Sequence, residues 1–253
     1  MSAKAISEFD GKRLLGKHLS SNGLSVNFHT SNKNVQITTT SNLDKVAQEN
    51  PWVLNEKLVV KPDQLIKRRG KSGLLLLNAT WADVKNWISE RINKNIKIGN
   101  VEGVLKTFIV EPFVPHQAAD EYYVCIYSVR EGDEILFYHE GGIEIGDVDS
   151  KAERFVVETG STLYTNEIEK VLLKKAPESR RSLLSAFIKA LYTVYVDLHF
   201  TYLEINPVVV VNDTVRNTHK AKKKKKKTKK KNKKKKTKKK KTKGLLSRSC
   251  CKT

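Results

Sequence analysis

Four short stretches of this 253-residue chain place charged or oxygen-bearing side chains where chemistry can use them. The first runs from Val60-Lys61-Pro62 to Gly70-Lys71. A lysine leaving an apolar strand, then a basic loop with a glycine, suits a polyphosphate. Lys61 supplies a point charge, Arg69 a fork of donors, and Gly70 lets backbone approach oxygen closely. A solvated basic loop or a nuclear-import stretch accounts for the same residues, and no G-x-x-x-x-G-K-[ST] loop is present. The second is Glu111-Pro112-Phe113-Val114, an apolar strand end able to offer backbone groups to the edge of a base. Pro112 has no N–H, so only its carbonyl can serve, and Glu121 lies near enough in sequence to accept from ribose hydroxyls. The alternative is a strand that simply ends between two prolines.

The third stretch is His139-Glu140-Gly141-Gly142 with Asp147 and Asp149 behind it. Paired glycines permit backbone approach to an anion and the carboxylates suit Mg²⁺; a glycine turn with an acidic loop is the other reading. In the fourth, Tyr202-Leu203-Glu204-Ile205-Asn206-Pro207, strand alternation puts Glu204 and Asn206 on one face. Oxygen-bearing side chains within an apolar strand are costly unless something polar meets them, either a divalent cation or solvent at an exposed edge. The six histidines show no metal-ligand spacing.

The elements that must position these residues are legible in part. Residues 5–17 read as a short amphipathic helix, and residues 18–50 as loop with weak strand. Strands follow at 58–60, 73–78 and 104–114, with a helix at 80–91 opened by a Thr80/Asp83 capping box. Residues 122–129 and 134–138 flank Arg130-Glu131-Gly132-Asp133 as a hairpin. A helix opens at Asn166 and ends near Ala176-Pro177. The next, 178–199, carries Leu184, Phe187, Ile188, Leu191, Tyr195 and Leu198 on one face, before a final strand over 201–211. Helices and strands mix, with at least one antiparallel hairpin, so the class is α/β or α+β.

Charge separates the chain into two parts. The span 220–243 holds 19 lysines of the 48 basic residues, which leaves 29 basic against 27 acidic elsewhere. The body is therefore nearly neutral, and the basic pI of 9.8 belongs to the tail. Residues 213–253 are too uniformly cationic to bury apolar surface and are expected to be disordered. The lysine arm reads either as a polyelectrolyte that binds nucleic acid or anionic membrane by counterion release, or as a translated adenine-rich stretch that is not part of the ancestral coding sequence. The second fits its Thr and Asn interruptions and its lack of interleaved aromatics. The three cysteines follow no paired spacing, and no signal peptide or membrane-length apolar run is visible, so a cytoplasmic location is expected.

Taken in order, LVVKPDQLIKRRGK, VEPFVPH, EYYVCIY, HEGG, GDVD and FTYLEINP closely resemble the N-terminal ATP-grasp region of the ATP-citrate synthase family, as does the opening MSAKAISE. The similarity to the succinyl-CoA synthetase β subunit is more distant. The resemblance spans about residues 1–211 and is weakest over 18–45. It implies an ATP-grasp domain over 1–212, incomplete at its C-terminal end, in which two α+β lobes clasp ATP, followed by the tail, 213–253. Lys61, Arg69 and Gly70 are implied to contact phosphates, Pro112 and Val114 to hold adenine through the backbone, Glu121 the ribose, and Asn206 Mg²⁺. The full-length, homo-oligomeric enzyme is implied to make acetyl-CoA and oxaloacetate from citrate, CoA and ATP for lipid synthesis, through a phosphohistidine beyond residue 253. No catalytic residue is therefore expected here, citrate and CoA are partners of the full-length enzyme only, and this chain is expected to be a monomer. In the family the Asn-bearing strand turns and returns with a metal-binding Asp. Here Asp213 reads as the turn residue and His219 stands at the Asp position. The returning strand is expected to be missing, leaving 201–211 as an exposed edge.

Overall fold

A computed structural model describes residues 4–21, 28–29, 33–66, 69–70, 72–98, 101–142, 148–211 and 214–217. In chain order the elements are α1 (Glu8–Ser21), β1 (Phe28–His29), β2 (Val35–Thr38), α2 (Leu43–Glu49), α3 (Trp52–Asn55), β3 (Leu58–Pro62), β4 (Leu76–Ala79), α4 (Trp81–Ser89), β5 (Asn95–Ile98), β6 (Val101–Val104), β7 (Thr107–Pro112), β8 (Glu121–Ser128), β9 (Gly132–Tyr138), β10 (Glu153–Glu158), α5 (Thr165–Val171), α6 (Glu178–Asp197), β11 (Tyr202–Val211) and β12 (Thr214–Asn217).

The strands build a four-stranded antiparallel sheet, β2-β7-β3-β4, a six-stranded sheet, β1-β12-β11-β8-β9-β10, and the small hairpin β5-β6. Each large sheet has its own core. On the four-stranded one, Leu58 and Val60 of β3 and Phe108 and Val110 of β7 alternate toward Val53, Trp81, Val84, Trp87 and Ile88. The helix α4 begins as its sequence dictates: the Thr80 N–H donates to Asp83 Oδ2 at 2.9 Å, and the Asp83 N–H to Thr80 Oγ1 at 3.3 Å. On the six-stranded sheet, Tyr122, Val124 and Ile126 of β8 face Leu184, Phe187, Ile188, Leu191, Val194 and Tyr195 of α6. Two residues of α1, Leu15 and Leu19, join that same core.

The fold is α/β with two α+β lobes, as the sequence implied, and the β8–β9 hairpin forms with Ser128 opposite Asp133. The expectation of a missing returning strand is corrected. β12 pairs antiparallel with β11, Val208 against Asn217 through Val211 against Thr214, and β1 adds in parallel on its far side. β11 is therefore an interior strand: Val208 and Val209 are paired on both sides, and Val210 and Val211 pair with β12. Pairing with β11 holds Thr214–Asn217 extended as one short strand before the lysines. Asp213, His219 and the tail from 218 onward lie outside the described residues. No helix among the described residues is long and apolar enough to cross a membrane.

Candidate functional site

Lys61 lies in β3 with its side chain 0% exposed. Strand alternation sends it to the face opposite the Leu58–Val60 core, and the same rule sends Glu111 of β7 there beside it. A buried ammonium and a buried carboxylate are each costly alone, so the pair is held together. Two further charges arrive on α1, where Glu8 and Lys12 stand one helical turn apart. Lys61 Nζ is 2.6 Å from Glu8 Oε1 and 2.8 Å from Glu111 Oε1. Lys12 lies 3.0 Å from Glu8 and makes a short contact with Glu111. Arg69 donates to the second Glu8 oxygen, Oε2, at 2.7 Å and to the Pro62 carbonyl at 2.8 Å. One carboxylate is thus shared by Lys61 and Arg69, the two cations assigned to phosphate from sequence.

The helix delivering Glu8 is anchored by Asp63, which immediately follows β3. Its Oδ1 accepts the Glu8 and Phe9 N–H groups at 2.8 and 3.3 Å, satisfying donors that the first turn of a helix leaves unpaired. Gln36 of β2 donates to its other oxygen at 2.7 Å. Burial pulls the Lys12 ammonium down, but Glu111 and Glu8 outweigh it and hold the group above the ordinary lysine range. For Lys61 burial wins: its pKa lies below the usual value despite the same two carboxylates, with Lys12 and Arg69 adding repulsion.

From Glu111 the chain leaves β7 through the stretch assigned to a base. The Phe113 N–H is spent on the Lys57 carbonyl at 2.6 Å. Because that bond flanks the Leu58–Pro112 pair, the pair is of the wide kind, and the Pro112 carbonyl is turned away from β3. The Val114 carbonyl accepts from His116 Nδ1 at 2.7 Å. His116 Nε2 lies 3.0 Å from Glu121 Oε1, at the start of β8.

Glu121 in turn abuts Gly142, where an added Cβ would come within 2.1 Å of Glu121 Oε2 and the backbone φ is +99°. The Gly142 N–H donates to Asn206 Oδ1 at 2.8 Å. Asn206 sits where the β11–β8 register shifts, between Ile205 and Val208. The structure therefore gathers Glu121 and Asn206 about one glycine, and Lys61 and Arg69 about one glutamate. The paired glycines serve packing: Gly141 approaches the Tyr122 backbone and Gly142 the Glu121 side chain. The Asp149 Oδ1 accepts from Tyr123 OH at 2.8 Å, and exposed Glu204 accepts from Tyr202 OH at 2.7 Å. Asp147 lies outside the described residues.

The profile of the family described as the ATP-citrate synthase ATP-grasp domain matches residues 2–243. This chain belongs to that family. It is 48% identical over 215 residues to ATP-citrate synthase of Homo sapiens, covering 85% of this chain and 19% of that protein. It is 56% identical over 169 residues to the probable ATP-citrate synthase subunit 2 of Schizosaccharomyces pombe, covering 66% and 34% respectively. Among solved structures, an ATP citrate lyase from Methanothrix soehngenii, in complex with citrate and coenzyme A, superposes with a TM-score of 0.74. That match is at 32% identity and covers 85% of this chain and 49% of that one. The chain thus spans about a fifth of the human relative and a third of the yeast one.

Within this ATP-grasp domain, Glu8, Lys12, Asp63 and His116 were not singled out from sequence. A signal existed for Glu111: in an apolar strand its carboxylate falls on the face away from the core, as Lys61 does on its own strand, and opposite charges there demand each other. Nothing local marks Glu8, because its partners lie in distant parts of the chain.

Proposed function

We propose that this chain is a nucleotide-holding portion of an ATP-citrate synthase, with ATP lying between the two sheets. The observation that carries the reading is the Glu8 carboxylate, held at 2.6 Å by Lys61 and at 2.7 Å by Arg69. Two converging cations that already grip a two-oxygen anion can grip a phosphate once Glu8 gives way. Gly70 follows Arg69 and leaves room for backbone approach. At the strand exit, the Pro112 carbonyl and the Val114 N–H form the acceptor–donor pair that an adenine edge requires. Glu121 accepts from the ribose.

Among the described residues, no group of three or more His, Cys, Asp or Glu side chains could hold a metal ion. Asn206 offers one neutral oxygen, and that oxygen already accepts from Gly142. A cation that keeps several waters and wants one or two carboxylates does not fit this donor set.

The complete conversion of citrate, CoA and ATP to acetyl-CoA and oxaloacetate belongs in this proposal to the longer cytoplasmic enzyme, with citrate and CoA bound outside this chain. Its contribution is binding and orientation: charge at the phosphates, backbone at the base, a carboxylate at the sugar. No observation favours the lysine arm as a nucleic-acid-binding device, and membership of the family replaces that alternative.

Calorimetry on the full chain tests the reading. ATP is expected to bind weakly, with little change when Mg²⁺ is chelated. Lys61→Ala is expected to remove about 1.5–3 kcal/mol, roughly ten- to a hundred-fold in affinity. Unchanged affinity in that variant would overturn the assignment.

A further inference from the structure

We infer that His116 is a positioning residue for the nucleotide, orienting the ribose-binding carboxylate of Glu121 and tying it to the base-binding turn. The inference rests on the nucleotide reading above. The imidazole is completely enclosed, with its side chain 0% exposed, yet both ring nitrogens are engaged. Nδ1 donates to the Val114 carbonyl at 2.7 Å, and Nε2 meets Glu121 Oε1 at 3.0 Å. A carbonyl only accepts, so Nδ1 carries a proton toward Val114, and Nε2 is left to the Glu121 carboxyl group. The rigid ring therefore fixes the spacing between the last base-contacting position and the first residue of β8.

The other side of the Glu121 carboxylate is equally constrained. Gly142 presses against Oε2 so closely that a Cβ there would sit 2.1 Å away. Gly142 is held in turn by Asn206 Oδ1 at 2.8 Å. A carboxylate offers about four lone-pair positions. The ring on one oxygen and the glycine backbone on the other set the plane in which those positions lie, and so the direction from which a sugar hydroxyl can donate. Without the ring one of these two constraints on the carboxylate's terminal torsion is lost, and that torsion is intrinsically broad. The role is indirect: His116 acts through Glu121 and Val114.

The experiment compares ATP with 2′,3′-dideoxy-ATP, which lacks both hydroxyls, by calorimetry on the full chain. The wild type is expected to prefer ATP by about ten-fold, the size of one hydrogen bond to a charged acceptor. His116→Ala is expected to weaken ATP by about the same factor while leaving the dideoxy analogue nearly unchanged, so that the preference collapses toward one. A histidine that merely supports the fold would weaken both ligands equally, and a preserved preference in His116→Ala would overturn the inference. Should His116→Ala fail to fold, His116→Gln and His116→Asn decide the matter. The longer amide reaches Glu121 in place of Nε2 and is expected to keep the preference. The shorter amide mimics only Nδ1 and is expected to lose it, and the reverse order would overturn the proposal. A wild type that binds both nucleotides equally refutes the role of His116 while leaving nucleotide binding intact. A wild type that binds neither refutes both.

Discussion

Glu8 and Lys61 meet at 2.6 Å, joining the first turn of α1 to a strand more than fifty residues further along. Their contact belongs to a cluster of three cations and two carboxylates, so each carboxylate serves more than one cation. Glu111 is the more deeply buried of the two acids, at 8% side-chain exposure against 19%. Glu111→Gln would leave two buried lysines with a single acid. Removing one partner of a buried ion pair costs about 3–5 kcal/mol, a fall in Tm of roughly 6–20 °C for a domain of this size. Glu8→Gln should cost less, because water reaches that carboxylate. Thermal unfolding of both variants is the check, and an inverted order would show that burial does not control the cluster.

Gly141 packs on β8 so closely that a Cβ would lie 2.7–2.9 Å from the Tyr122 backbone. Backbone in a six-stranded sheet cannot swing aside as a flexible side chain can. Gly141→Ala is therefore expected to destabilise by about 1–3 kcal/mol, the usual range for overpacking. Gly103→Ala is the control, since nothing lies within 4 Å of a Cβ there, and its effect should stay within about 0.5 kcal/mol. Chemical denaturation of the two variants reads the difference, and similar costs at both positions would refute the packing explanation.

Asp120 couples the start of β8 to α6. Burial raises its carboxyl pKa, but the Gln117 N–H and the Arg180 guanidinium outweigh that and hold it below the ordinary aspartate value of 3.8. Arg180 also donates to the Val210 carbonyl at 2.8 Å, so the acid orients a side chain that clamps β11. A folded pKa below the unfolded one stabilises the protein above the unfolded value, and that stability is lost as pH falls through the folded value. The Tm of the wild type should exceed that of Asp120→Asn at pH 6, and the gap should close progressively below about pH 4. Other acids titrate in both proteins and largely cancel in the comparison. A gap that widened on acidification would reverse the assigned sign.

The sequence foretold the elements that carry strong periodicity or a cap. α6 emerges from its 3.6-residue apolar stripe, α4 from Thr80 and Asp83, and the β8–β9 hairpin from its turn. Over 18–50 the polar composition showed β2 only as weak strand and concealed α2, both too short to show a period. α2 is stabilised instead by Asn42, whose side chain accepts from the Asp44 and Lys45 N–H groups. The returning strand β12 was hidden by its neighbours: four extended residues beside a lysine run carry no pattern of their own, and their partners on β11 supply the reason to be extended. The site was legible residue by residue but not as a network. Lys61 and Arg69 could be assigned to an anion, whereas the anion they hold in the folded chain comes from a helix with no motif to announce it.

The parallel pairing of β1 with β12 places Phe28 beside Val215 and His29 beside Arg216. It also constrains the order in which the parts can fold as the chain is made. Every strand of the four-stranded sheet lies between Val35 and Pro112, so that sheet has all its parts while much of the other is still unmade. The six-stranded sheet needs β12 before β11 is covered and before β1 has a neighbour. Leu15 and Leu19 on α1, made first, wait for a core that α6 completes near the end. On the ribosome, the lobe of the four-stranded sheet is thus free to fold ahead of the other, and once released β11 lacks a partner on one edge until Thr214–Asn217 has emerged beside it.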